Sequence, residues 1–353
     1  MATAIDEAKL NEFLGHIVGD AGAAMSGALV VVGDRLGLYR ALNDGGPATA
    51  AELAGRSGTA ERYVQEWLDA NAAGGYLTYD PATRRYTLPP EQAAVLADES
   101  SPAFATGLFQ VIQACWSAVP RIEARFRTGG GLAWGEQDAC LFEGTERFFR
   151  SGYVGNLVSC WIPALDGVKA KLEQGILVAD VGCGHGASTL LMAEAFPRST
   201  FVGFDSHRGS IETARRRARA AGLEGRVRFD EASATGFPGS GYKLVAVFDA
   251  LHDMEDPAGA ARQVRRSLAD DGTWLIVEPY AGDSPEQNHN GVGRVFYSAS
   301  TMLCVPHSLS QRGPALGAQA GEKRLRKLAT GAGFTRFRRA TQTPFNLVLE
   351  AKP

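Results

Sequence analysis

Residues 178–189 read VADVGCGHGAST, a short apolar run holding one aspartate, then three glycines in five residues, then small residues suited to a first helical turn. Gly182, Gly184 and Gly186 fall where a strand passes into a helix, so a ligand can approach both the backbone and the helix N-terminus. With Ala187 in the sixth place the loop also satisfies the loose G-x-G-x-x-G/A pattern of dinucleotide binders. Asp205, at the end of the next strand, suits both hydroxyls of a ribose and fits either nucleotide type. Asp180 tilts the choice. A carboxylate two residues before the first glycine repels a pyrophosphate but suits a ligand carrying an ammonium and a sulfonium, as S-adenosyl-L-methionine does. His185 and Cys183 read as spacers, and His207 as either a cofactor neighbour or an exposed side chain. The arginines 215, 216, 217 and 219 read as the solvated face of the following helix.

The texture around this loop is alternating. ILVADV (176–181), TFVGFD (200–205), RVRFDE (226–231), KLVAVFD (243–249) and GTWLIVE (272–278) are short apolar or β-branched runs, each followed by glycine, polar or helical sequence. Such alternation predicts a parallel sheet with helices on both faces. The tail, GAGFTRFRRATQTPFNLVLEAK, predicts a helix end and two closing strands.

Upstream the pattern differs. Apolar residues recur at helical spacing from Ala8 to Leu42. ATAAELAGRSG and GTAERYVQEWLDANAAGG then predict two helices, and YLTYDPATRRYTL a hairpin. Helix, helix and two-stranded wing is the layout of a winged helix-turn-helix. A DNA-reading surface should be basic, yet the would-be recognition helix carries Glu61, Glu66 and Asp69 against Arg62. Packing or dimerisation is therefore the favoured use of this region. Residues 101–170 are rich in aromatics, among them Trp116, Phe148, Tyr153 and Trp161, which read as helical core or as the wall of an apolar pocket. Within them GGGLAWGEQD reads as a mobile loop.

The 353 residues are 45% hydrophobic and 21% charged, with a formal charge of -3. That composition gives a sizeable core and no electrostatic case for nucleic acid or membrane. Five scattered cysteines show neither a disulfide framework nor zinc spacing. The N-terminus lacks the pattern of a signal peptide, and its run ALVVV is too short to span a bilayer. A cytoplasmic protein is expected.

The remaining chemistry gathers in VFDALHDMEDP, residues 247–257. Asp256 and Pro257 are a helix N-cap and first position. Asp253 reads as solvated or bound to local backbone, and Asp249 faces the crevice where ligands of open α/β sheets bind. A lone histidine is more often structural, but His252 stands above the carboxyl end of a strand, in that crevice. Neutral imidazole suits removal of a hydroxyl proton near neutral pH. A neighbouring helix N-terminus and a sulfonium would both favour that neutral form.

DVGCGHG, the acidic residue of GFD, FDALHDMEDP, GTWLIVEP and GAGF stand in the order and spacing of class I S-adenosylmethionine-dependent methyltransferases. Together with the winged-helix region, nearly the whole chain resembles the small-molecule O-methyltransferases, closest in pattern to a bacterial winged-helix subgroup. The resemblance implies an α/β fold, a Rossmann-like seven-stranded sheet preceded by a mostly α winged-helix domain. It implies a dimerisation domain at 1–99, a helical pocket segment at 100–171 and the cofactor domain at 172–353. It implies His252 as general base with Glu278 either orienting it or making a strand-end contact. Asp180, Gly182, Gly184, Gly186, Asp205 and Asp249 would hold the cofactor, with Ser233 at the position that faces adenine. There the family often has an acidic residue, so adenine recognition is weakened. The family's second carboxylate position falls near Gln319, with Glu322 close by. The segment 281–321, with His289, Arg294, Tyr297 and His307, reads as a lid or pocket wall. No Asp/Asp/Asn metal set is evident and no metal is expected. A homodimer acting on a small apolar metabolite at a hydroxyl is the expectation, and a winged-helix regulator that senses the cofactor is the alternative.

Overall fold

The computed structural model describes residues 5–353, so the first residues of the dimerisation segment expected at 1–99 lie outside the described part. The chain divides into two compact units, one of residues up to 113 with 140–151, the other of 114–139 with 152–353.

The first unit opens on a long helix, Glu7–Arg35, whose first amides are capped by the Asp6 carboxylate. The sequence ALVVV lies inside it. The run alone is short, but the 29-residue helix is long and apolar enough, by length and composition, to cross a membrane, and most of its apolar stretch is unburied. Phe13, Val18 and Met25 are among its exposed side chains. Helix Leu38–Gly45 follows, then Ala50–Ser57, started by a reciprocal capping box between Thr49 and Glu52, then Glu61–Ala73. Strands β1 (Thr78–Asp80) and β2 (Arg85–Thr87) form the antiparallel wing. Leu38, Tyr39, Leu53, Trp67 and Leu68 make the core. Gly33 has to be glycine, because a Cβ there would come within 2.6 Å of the Trp67 ring. A bidentate ion pair joins Arg147 to Asp34 at 2.6 and 3.0 Å.

The second unit carries seven strands: β3 (Leu177–Val181), β4 (Thr200–Asp205), β5 (Val227–Glu231), β6 (Tyr242–Phe248), β7 (Leu268–Pro279), β8 (Arg336–Gln342) and β9 (Asn346–Lys352). Their order is β5-β4-β3-β6-β7-β9-β8, with the first five parallel and β9 antiparallel between β7 and β8. β6 is buried almost throughout, as expected of a parallel strand covered on both faces. Phe204, Val245, Trp274, Ile276 and Leu349 lie in the central core. The chain runs outward from β3 to β4 and β5, then returns to β6 on the other side, so the strand order reverses beside β3. Crevices at such reversals, above the carboxyl ends, are where open α/β sheets bind ligands.

One segment differs from expectation. GGGLAWGEQD is packed: Leu132 is buried, its amide donates to the Pro306 carbonyl, and a Cβ on Gly131 would overlap the Ser310 backbone. The segment 281–321 is largely helical, running through Gly291–Ala299, a π-helical turn Ser300–Cys304 and Val305–Ser310.

Candidate active site

The glycine loop leaves β3 with Gly182, Gly184 and Gly186 all at positive φ. A Cβ on Gly186 would meet the Phe229 ring at 2.6 Å, and one on Gly182 would meet the Ala250 Cβ at 3.0 Å. These two glycines therefore bring the loop against β5 and against the turn that carries His252. The loop is held by the Gly182 amide on the Phe204 carbonyl (2.8 Å) and the Gly184 amide on Asp205 Oδ2 (2.9 Å). Asp205 Oδ1 accepts from the His207 amide at 2.8 Å. Each carboxylate oxygen keeps a further lone pair for a ribose hydroxyl. Burial raises the Asp205 pKa, against the two amides.

Asp180 is 1% exposed. Its Oδ2 accepts from the Ser188 and Thr189 hydroxyls, both at 2.6 Å, while Oδ1 is buried and takes no hydrogen bond from the described residues. Burial pushes its pKa up to about 6. A buried carboxylate with one oxygen unmet is a site that a cation would complete.

Asp249, at the end of β6, holds a left-handed backbone at φ 50. Such a conformation is uncommon for a non-glycine residue. Its carboxylate accepts from the Tyr153 hydroxyl (2.9 Å) and the Asn346 side-chain amide (3.0 Å). Burial, with the Glu278 charge second, pushes its pKa up to about 8.

His252 is 4% exposed and Glu278 1%. His252 Nδ1 lies 2.6 Å from Glu278 Oε2, and Glu278 Oε1 accepts from the Leu251 amide at 2.8 Å. The carboxylate is thus fixed by backbone and fixes the imidazole in turn. His252 Nε2 points away from Glu278, to Cys304 Sγ at 3.3 Å. Burial acts to lower the histidine pKa, but Glu278 and then Cys304 outweigh it and hold the pKa well above the ordinary value. This reverses the expected direction. A carboxylate in direct contact, in the same buried space, exceeds the dipole of a helix that begins only at Pro257.

The other residues divide plainly. Asp256 caps Pro257–Ser267 through the Gly259 amide at 2.7 Å. Asp253 is half-buried and its pKa is raised by burial, which disfavours the solvated one of the two readings given for it. His207 caps the helix Arg208–Ala220, accepting from the Ser210 amide. Ser233 is exposed and lies 3.2 Å from the Thr235 hydroxyl. Gln319 donates to the Tyr280 carbonyl, and Glu322 pairs with Arg326 and Arg339. His307 accepts from the Trp134 amide. Tyr153, Asn346 and Cys304 were not distinguishable in sequence as site residues. Tyr153 was one aromatic among many, and the other two carry no local motif.

Residues 24–98 match the model of an Rv2258c-like winged HTH domain, and residues 172–330 match that of a methyltransferase domain. An uncharacterized methyltransferase, YcgJ of Bacillus subtilis, is 31% identical over 110 residues, 31% of this chain. The chain spans only 42% of that relative's length. Among solved structures, the mitomycin 7-O-methyltransferase MmcR superposes with a TM-score of 0.72 at 18% identity, covering 98% of this chain and 99% of that one. Human N-acetylserotonin methyltransferase in complex with SAM gives 0.69 at 16%, covering 100% and 99%. At such identities the likeness is one of fold.

Proposed function

We propose that this chain, which joins a winged helix-turn-helix domain to a class I methyltransferase domain, is an S-adenosylmethionine-dependent methyltransferase of small molecules. The observation that carries the reading is the buried Glu278–His252 pair on the turn that packs against the glycine loop. When bound, the cofactor supplies a methyl group activated by a sulfonium. Asp205 would hold the ribose, the unmet oxygen of Asp180 would take the ammonium end, and Asp249, braced by Tyr153 and Asn346, would face the methionine portion. Gly182, Gly184 and Gly186 would admit it to the backbone, and Ser233 would face adenine.

The acceptor is a small, largely apolar metabolite methylated at a hydroxyl. His252 Nε2 takes the hydroxyl proton, with the acceptor replacing Cys304 at that nitrogen. Glu278 keeps the imidazole oriented and stabilises the imidazolium that forms. Because Glu278 raises the pKa, the base works only in the fraction that is neutral, which grows with pH. In this reading residues 1–99 serve dimerisation, 100–171 contribute to the acceptor pocket, and 172–353 bind cofactor. The exposed apolar side chains of Glu7–Arg35 support a homodimer. Incubation with labelled S-adenosylmethionine and a panel of phenolic, polyketide and carboxylic acceptors tests the proposal. Label should pass to a hydroxylated apolar acceptor, and binding of S-adenosylhomocysteine with transfer to none of them would count against it.

A further inference from the structure

His252 has a second neighbour that methyl transfer leaves unused. Cys304 closes the π-helical turn Ser300–Cys304, and its Sγ lies 3.3 Å from His252 Nε2. Single π-helical turns inside longer helices are frequent at functional sites, where the widened turn re-aims a side chain. On the far side of the ring, Nδ1 holds Glu278 at 2.6 Å. Thiol, imidazole and carboxylate therefore stand in the order nucleophile, base and orienter, at hydrogen-bond separations. The carboxylate is in turn fixed by the Leu251 amide, so the ring cannot swing from the thiol without breaking a buried bond. Leu251 and Leu303, beside these residues in the chain, are buried and apolar. Glu278 makes the surroundings unfavourable to an anion.

We infer that Cys304 is a base-activated nucleophile, and that this site captures uncharged α,β-unsaturated carbonyl compounds, quinones among them, as thioether adducts. In the fraction whose imidazole is neutral, the thiol proton passes to His252 Nε2 as the sulfur lone pair forms a C–S bond at the β-carbon. The π pair of the carbon–carbon double bond moves onto the carbonyl as an enolate. The imidazolium then returns the proton to the α-carbon, leaving His252 neutral and Glu278 unchanged. No oxidant or reductant enters the balance. Polarisable sulfur favours such soft carbon centres, and a histidine able to give the proton back completes the addition.

The test is limiting N-ethylmaleimide at pH 7 on the full chain, with each cysteine followed by peptide mass. Cys160, which is exposed, is the reference, and Cys183, which is buried, reports the fold. Cys304 is only partly exposed, yet it should be modified at least about 10-fold faster than Cys160. His252→Asn and Glu278→Gln should bring it to parity or below. Parity in the wild-type chain overturns the inference, as does a preference that survives in both variants while Cys183 stays unmodified. If one variant exposes Cys183, the wild-type ratio and the other variant decide. The adducts are read without cofactor or acceptor, so this inference and the methyl-transfer reading fail separately.

Discussion

The proton on His252 sets the pH at which the site can act as a base. Its folded pKa lies well above the ordinary histidine value, because the contact with Glu278 outweighs burial. The neutral form therefore appears at higher pH than in a free histidine, as pH rises through the folded pKa. The profile of kcat/KM against pH should rise on the alkaline side of pH 6.5. In Glu278→Gln, where the attraction is lost, that limb should move to lower pH while the maximum rate falls. A limb that stays in place would remove Glu278 from control of the base. His252→Ala should lower kcat by roughly 10²–10⁴-fold with little change in S-adenosylhomocysteine affinity by calorimetry. Equal losses in both would make His252 a structural residue. The pairing of His252 with Glu278 was half legible in sequence, since both stand at strand ends. The sign of the shift was not, because it depends on a 2.6 Å contact between residues 26 positions apart.

At the scale of the element, the strand–glycine loop–helix unit is local and its rules are local. Gly186 combines a φ of 82 with a ring 2.6 Å from where a Cβ would stand. Gly186→Ala should destabilise the fold by roughly 1–3 kcal/mol, read by urea denaturation, and weaken cofactor binding as well. Gly184 faces open space, so its alanine variant should lose less stability, carrying only the backbone strain. The helix start at Asp256 was equally readable, a side-chain oxygen placed for an amide a turn ahead. The helical spacing from Ala8 onward was legible and the first helix is there, but the reach of its apolar stretch was not read. ALVVV looks short as a run, but its helix extends through 29 residues with an exposed apolar side. We expect that side to be covered by a second copy. Sedimentation should give a dimer, and Phe13→Glu with Val18→Glu should give a soluble monomer. Recruitment of the unaltered protein to neutral vesicles instead would assign the helix to a membrane.

For the molecule as a whole, the site concentrates acids at the carboxyl ends of a parallel sheet. Asp180 is pushed to about 6 and Asp249 to about 8, both chiefly by burial. Raised carboxyl pKa values favour the folded state most below the unfolded value of about 3.9, and that advantage is lost as pH rises through the folded values. The ligand-free protein should therefore lose stability from about pH 4 to 8 through these two groups. A cation lowers both pKa values, so cofactor binding at pH 7 should release protons. Calorimetry in buffers of different ionisation enthalpy should give a binding heat that varies with the buffer, and one that does not vary would remove the acids from cofactor binding. The sequence by itself determined the alternating strands, the glycine loop, the helix caps and the winged-helix layout. Each is written in neighbours or in a short period, so the chain's own stereochemistry specifies it. Only the tertiary structure decided that Tyr153 and Asn346 brace Asp249, that Asp180 keeps an unmet oxygen, and that Cys304 meets His252. Those contacts join residues 52 to 97 positions apart, and no spacing rule reaches across a fold.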